Sequence, residues 1–122
     1  MKEILKLKGG KEHLEKMAKK ARTGFETFVL WLFSKRDMHG YELIRILSEE
    51  DGFDRAITAA MIYPLLNDMG RRGLLKHKTI PTGKRVKKVY SITPKGIKNL
   101  DEAKKRFRQN NLMGNFLREM LK

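Results

Sequence analysis

Apolar residues recur at helical spacing through the first 72 residues of the chain, in four successive segments. In segment 11–22 the apolar residues form only a thin stripe and the opposite face is basic, which predicts an accessory helix. Segment 24–34 is apolar on nearly every side, which predicts a central or interface helix, with a short strand as the alternative. The third helix follows a short polar turn and has Tyr41, Leu43, Ile44 and Leu47 at helical spacing.

The fourth helix is expected from about Thr58 to Arg72, with Thr58 as the N-cap and Gly73 as the C-cap. Pro64 should bend this helix, because proline lacks the amide hydrogen that would bond to residue 60. The helical period nevertheless continues beyond the proline. The predicted buried stripe consists of Met61, Leu65, Leu66 and Met69.

The pattern then changes to two short strands, predicted at Leu74–Thr79 and Val86–Ile92, with Pro81 and Gly83 in the turn of a hairpin. Thr93 and Pro94 are a hydroxyl cap followed by a proline at the first helical position, so they predict a final helix. The run NNLMGN at 110–115 is expected to interrupt it. Beyond the core this helix keeps apolar spacing, which predicts contact with another chain.

Composition narrows the class of protein. The chain has 122 residues, which suits one domain, and it has no cysteine, which excludes disulfides and favours a reducing cytoplasm. No run of about 18 apolar residues is present, so no membrane span is expected. The net charge is +14, and residues 69–100 hold ten Lys or Arg and no Asp or Glu. Folding brings these like charges together, which favours a polyanionic partner.

Three helices followed by a hairpin is the element order of a winged helix-turn-helix. The predicted fold is therefore mainly α with a small β-hairpin, plus an additional N-terminal helix and a C-terminal dimerisation helix. In this arrangement the third core helix can enter the major groove of double-stranded DNA, and the hairpin, or wing, contacts the backbone. The candidate DNA-binding residues on the helix and wing are Thr58, Ala59, Ala60, Tyr63, Lys78, Lys84, Arg85, Lys87 and Lys88.

Three motifs resemble the PadR family of winged-helix transcriptional regulators: MHGYELIRILSE (38–49), IYPLLNDMGRRGLL (62–75) and GKRVKKVYSITPKG (83–96). The resemblance implies a homodimer on palindromic operator DNA, commonly acting as a repressor on the nucleoid. It also places Tyr41 and Tyr63 near the DNA backbone or against the reading helix. The implied division is a basic extension (1–24), a DNA-binding domain (25–93) and a dimerisation helix (94–122), whose expected contacts are Ile97, Leu100, Phe107, Leu112, Phe116, Leu117 and Met120.

Several residues allow more than one interpretation. The resemblance to the family makes Phe28 and Trp31 candidates for a pocket that holds a planar effector, although core packing is favoured. His39 is expected to cap a helix, and the three histidines lack metal-ligand spacing, so neither a metal nor a cofactor is expected. A low-specificity architectural DNA-binding protein and a winged-helix module for RNA or protein are the alternative functions. An enzyme is disfavoured, because no nucleophile–base pair or phosphate-binding glycine loop is evident.

Overall fold

The computed structural model describes residues 10–49, 57–109 and 111–122. Its five helices and three strands in this part of the chain are α1 (Gly10–Lys35), β1 (Met38–His39), α2 (Gly40–Glu49), α3 (Ala59–Arg71), β2 (Leu75–Thr82), β3 (Arg85–Ile92), α4 (Pro94–Gln109) and α5 (Asn111–Met120). The predicted fold class is confirmed: helices predominate, and the small sheet contains a hairpin. None of the helices in the described ranges is long and apolar enough to cross a membrane.

The prediction of two separate helices in the first 34 residues is wrong, because α1 runs unbroken for 26 residues. Gly24 lies inside it, where one glycine costs only about 1 kcal/mol relative to alanine. The hydroxyl of Thr23 donates to the carbonyl of Lys19, inside the same helix, so it does not start a new one. Burial of the second half outweighs the glycine, since Val29, Leu30 and Phe33 are almost fully buried.

The sheet has the strand order β1-β3-β2, and both pairings are antiparallel. The predicted hairpin is confirmed, but its strands are longer than expected. Thr82 pairs with Arg85 across a two-residue turn, in which Gly83 has a φ of +64°. A positive φ at the first turn residue is typical of type II′ turns and favours glycine. Pro81, predicted in the turn, instead lies in β2, an edge strand that tolerates proline.

The core lies where α1, α2 and α3 meet the sheet. In α3 the buried residues are Ile62, Leu66 and Met69, whereas Met61 is half exposed. The predicted stripe was therefore wrong at its first residue. Met61 and Ile62 are adjacent apolar residues, and spacing alone did not show which of them is buried. Leu100 of α4 also belongs to this core, with 6% of its surface exposed. The remaining core residues are Met38, Leu43, Leu47, Leu74, Leu75 and Tyr90.

The start of α3 matches the predicted signal, whereas its C-cap is Arg72 and not the predicted Gly73. Thr58 is the N-cap, although its side chain makes no capping hydrogen bond, and the helix continues through Pro64. After the helix, Gly73 has a φ of +77°. The amides of Gly73 and Leu74 donate to the carbonyls of Gly70 and Met69. These two bonds form a Schellman motif, which satisfies the last carbonyls of the helix.

Thr93 attaches α4 to the segment between α3 and β2. Its hydroxyl oxygen accepts a hydrogen bond from the amide of Gly96 at 2.9 Å, and the hydroxyl lies 2.6 Å from the carbonyl oxygen of Gly73. The amide of Thr93 donates to the carbonyl of Leu74. This close approach leaves no room at Gly96, where a Cβ would lie 2.3 Å from the carbonyl oxygen of Leu74.

We expect Gly96→Ala to lower the free energy of unfolding by about 1–3 kcal/mol, because the clash is with backbone that cannot move aside. Gly70→Ala is the matched control, since its Cβ would meet only one backbone atom, at 4.0 Å. That change should leave stability unchanged or raise it by up to about 1 kcal/mol. Urea unfolding followed by circular dichroism measures both, and equal stability of the two variants would contradict this packing.

Candidate nucleic-acid interface

The exposed side of α3 starts at its N-terminal end. Thr58, Ala59 and Ala60 are all exposed, because they lie at the end of the helix, before its first buried residue, Ile62. Tyr63 is 40% exposed. The end of α3 that was predicted to read DNA is therefore on the surface. Its small side chains leave the backbone accessible to a large partner.

The wing, formed by β2, Gly83, Lys84 and β3, is covered with exposed cations. Their side chains point into solvent, and none makes an ion pair with a carboxylate of the described residues. Charges that are not neutralised within the fold are free to attract an anionic partner. These cations are Lys76, Lys78, Lys84, Arg85, Lys87 and Lys88.

A groove of about 570 Å³ separates α3 from the wing, and we call it the helix–wing groove. Tyr63 and Asn67 line it from α3, Lys87 and Lys88 line it from β3, and Tyr41 lines it from the start of α2. The structure thus brings together four of the predicted residues: Tyr41, Tyr63, Lys87 and Lys88. The other predicted residues lie outside the groove: Thr58, Ala59 and Ala60 at the end of α3, and Lys78, Lys84 and Arg85 along the wing.

Two local contacts position the tyrosines of the helix–wing groove. The ring of Tyr63 packs directly on Gly40, where an added Cβ would lie 2.6 Å from Cε1. Tyr41 is 64% exposed and stacks on His39, with ring centroids 6.4 Å apart. Gly40 therefore allows α2 and α3 to approach closely, and both tyrosines line the groove beside this junction.

His39 has the capping role that was favoured from the sequence. Its Nδ1 accepts a hydrogen bond from the amide of Glu42 at 3.2 Å, and its Nε2 lies 3.0 Å from a carboxylate oxygen of the same residue. The other carboxylate oxygen of Glu42 lies 3.1 Å from the guanidinium of Arg36. These bonds fix the start of α2 and orient the His39 ring beneath Tyr41.

Tyr90 lies beneath the groove and was not predicted as part of the site. Only 3% of it is exposed, and its ring contacts those of Phe33 and His77. Burial raises the pKa of Tyr90 above its ordinary value, and the neighbouring Tyr63 raises it further. The phenol therefore stays neutral at physiological pH, so the charge of the groove comes from Lys87 and Lys88.

Asn67 was also missed as a site residue. It is exposed on α3, one helical turn after Tyr63 and two turns after Ala60. This spacing is visible in the sequence and could have indicated Asn67. The position of Asn67 beside the wing depends on the tertiary packing, so it could not be predicted from the sequence. Within the described ranges, no cluster of His, Cys, Asp or Glu is suited to hold a metal ion.

A second groove, of about 740 Å³, lies between α1 and the two C-terminal helices, and we call it the apolar groove. Phe28 and Trp31 line one side, with ring centroids 5.8 Å apart, and Lys35 lies 5.2 Å above the Trp31 ring. Phe107 and Leu117 line the other side. The two candidate pocket residues therefore lie next to predicted dimerisation residues.

Most of the predicted dimerisation residues lie on the surface. Ile97, Phe107, Leu112, Phe116 and Met120 are between 47% and 83% exposed, and Leu117 is half-buried. Leu100 is the exception and corrects the prediction. It packs in the domain core because the first half of α4 lies against α1 and β3.

A family model described as the transcriptional regulator PadR-like family matches residues 29–102. The chain is similar to a solved PadR-like transcription factor from Bacteroides fragilis, with 21% identity and a TM-score of 0.69 over 84% of this chain and 98% of that one. It is also similar to a PadR-like transcriptional regulator from Bacillus cereus, with 28% identity and a TM-score of 0.62 over 76% of this chain and 89% of the other.

A third similar structure is Bacillus subtilis PadR in complex with operator DNA. Here the identity is 26% and the TM-score is 0.56, over 64% of this chain and 44% of that one. A comparison with curated proteins found no match.

The contact between Gly40 and Tyr63 is testable without any ligand. Gly40→Ala should destabilise the protein by about 1–3 kcal/mol, because its Cβ would overlap the Tyr63 ring. In a Tyr63→Ala background the same change should cost less than about 0.5 kcal/mol, since the ring is gone. Thermal unfolding of the four proteins measures this coupling, and an equal cost in both backgrounds would contradict the packing.

Proposed function

We propose that this chain, which belongs to the transcriptional regulator PadR-like family, binds pseudo-palindromic operator DNA as a homodimer and acts as a repressor. The main support is that Tyr63 and Asn67 of α3 and Lys87 and Lys88 of the cationic wing border one groove, the helix–wing groove. A single double helix could therefore contact both elements at once. Such a protein would act in the cytoplasm, on the nucleoid.

In this proposal α3 enters the major groove, which is wide enough for an α-helix. Ala59 and Ala60 let the helix backbone approach closely, because their side chains add little bulk. The hydroxyl groups of Thr58 and Tyr63 can bond to phosphates or to base edges. Tyr41, exposed at the start of α2, would contact the backbone beside them.

The wing would follow the phosphate backbone. Lys87 and Lys88 line the groove, while Lys78, Lys84 and Arg85 extend the charge toward the tip. Cationic contacts to phosphates position a protein on DNA without reading its sequence. The Bacillus subtilis relative solved with operator DNA supports double-stranded DNA as the partner.

Dimerisation would cover the exposed apolar side chains of α4 and α5, because monomers rarely leave so large an apolar surface exposed. The division at residue 24 falls inside α1, so residues 10–24 would extend the domain as part of the same helix. A two-fold dimer would read two half-sites about one helical turn apart. Between the two copies, Phe28 and Trp31 could hold a planar effector. The proposed dimer contacts are Ile97, Phe107, Leu112, Phe116, Leu117 and Met120.

In vitro selection of duplex DNA followed by footprinting tests this function. We expect a pseudo-palindromic consensus that is bound much more tightly than bulk DNA. Selection without a consensus would instead favour the architectural alternative, in which the wing coats DNA with little sequence preference. Tighter binding to structured RNA than to any duplex would favour an RNA-binding module.

Replacing Lys84, Arg85 and Lys87 together with Ala should weaken binding to every duplex and flatten its salt dependence. Each lost phosphate contact should reduce the slope of log K against log salt by about 0.9. The matched control removes Lys98, Lys105 and Arg106 of α4, two lysines and one arginine that are exposed away from the wing. Fluorescence anisotropy at several salt concentrations gives both slopes. If the salt dependence of affinity falls equally in the two triple variants, the proposed phosphate contacts of the wing are contradicted.

Phe116→Asp should convert the dimer to a monomer, because it places a charge in the centre of the proposed apolar interface. Phe116 is 56% exposed, so the fold of one copy should stay intact, with a normal circular dichroism spectrum. Affinity for the selected operator should fall more than affinity for bulk DNA, since only the former needs two linked half-sites. A dimer that persists in sedimentation equilibrium would contradict the proposed interface.

A further inference from the structure

We propose that Asn67 is the residue of α3 that identifies a base, an adenine, in the major groove. This inference rests on the proposed binding to operator DNA. It names a specificity residue that was not among the DNA-binding residues predicted from the sequence.

Asn67 lies on the side of α3 that faces away from the core. Ala60, Pro64, Asn67 and Arg71 are exposed and repeat at intervals of three and four residues, so they form one helical stripe. Ile62, Leu66 and Met69 bury the opposite side. If α3 enters the major groove with this stripe facing the bases, the Asn67 amide lies at the base edges.

The other members of the stripe are less suited to select a base. Ala60 and Pro64 have no side-chain hydrogen-bonding group, so they permit close approach without choosing a hydrogen-bonding pattern. The guanidinium of Arg71 lies 3.6 Å from the carboxylate of Asp68 and is highly exposed, which suits a phosphate contact. Beside the stripe, the ring of Tyr63 is held against Gly40.

The amide of Asn67 makes no side-chain hydrogen bond with any other described residue. It offers one acceptor oxygen and an NH₂ donor in a single plane. This pair matches N6 and N7 of adenine, which present a donor and an acceptor in the major groove. A hydroxyl such as that of Thr58 cannot make this paired contact in the same fixed plane.

The charges around Asn67 favour a base contact at this position. It lines the helix–wing groove, where Lys87 and Lys88 lie. It also lines a neighbouring groove of about 640 Å³ that contains Arg71 and Lys76. Phosphates can bind the cations on both sides, which would hold the duplex so that the uncharged amide between them faces the bases. The position of Asn67 thus combines phosphate anchoring with base recognition.

The test is duplex selection with the wild type, Asn67→Ala, Asn67→Asp and Arg71→Ala. Asn67→Ala should lose the preference for adenine at one position in each half-site. Affinity for the wild-type consensus should fall about 5- to 150-fold, the range for one paired base contact. Affinity for bulk DNA should stay within about twofold, because the amide contacts no phosphate.

Asn67→Asp should move the preference at that position from adenine toward cytosine, whose N4 donates to a carboxylate. Arg71→Ala should weaken binding to all DNA sequences alike. It should also reduce the slope of log K against log salt by about 0.9. An Asn67→Ala protein that folds normally and selects the wild-type consensus would overturn the assignment of Asn67 while leaving operator binding intact. If the wild type selects no consensus, the proposed operator binding fails, and the assignment fails with it.

Discussion

The short pairing between β1 and β3 determines how the wing lies relative to the helices. Met38 and His39 pair with Tyr90 and Val89, so β1 joins the hairpin to the segment between α1 and α2. Tyr90 reinforces this junction, because its buried ring packs against Phe33 of α1 and against His77 of β2. The burial of one large aromatic ring stabilises the fold by about 2–3 kcal/mol. At the other edge of the hairpin, β2 contacts α3 directly and Leu75 packs in the core, so the groove between the wing and α3 depends on both edges.

Repulsion between like charges destabilises the folded state at the wing. The wing concentrates cations on a two-stranded hairpin, and the described carboxylates do not neutralise them. Repulsion between exposed charges is modest in water and weakens further with salt. The fold can therefore tolerate it, and a polyanion removes it on binding. The same surface that costs some stability in the free protein supplies the electrostatic part of affinity for DNA.

Local signals were enough to predict much of the local structure around the candidate site. Caps and periodicity located the start of α3, and glycine with β-branched residues located the hairpin. Features that depend on tertiary packing were not predictable in this way. Nothing local shows that α1 continues through Gly24, that Leu100 turns into the core, or that Tyr90 forms the floor of a groove. β1 was missed because two residues are too short to show a period, yet it orients the wing.

The most direct test of the central claim, that α3 and the wing form one continuous DNA-binding face, is an NMR titration of the isotope-labelled protein with a short duplex. The account predicts that amide shifts change together at Thr58, Ala60, Asn67, Lys84 and Lys88. Residues on the far side of α4, such as Lys98 and Lys105, should be unaffected. Changes confined to the wing, with α3 unperturbed, would contradict the claim, as would changes centred on α4 and α5.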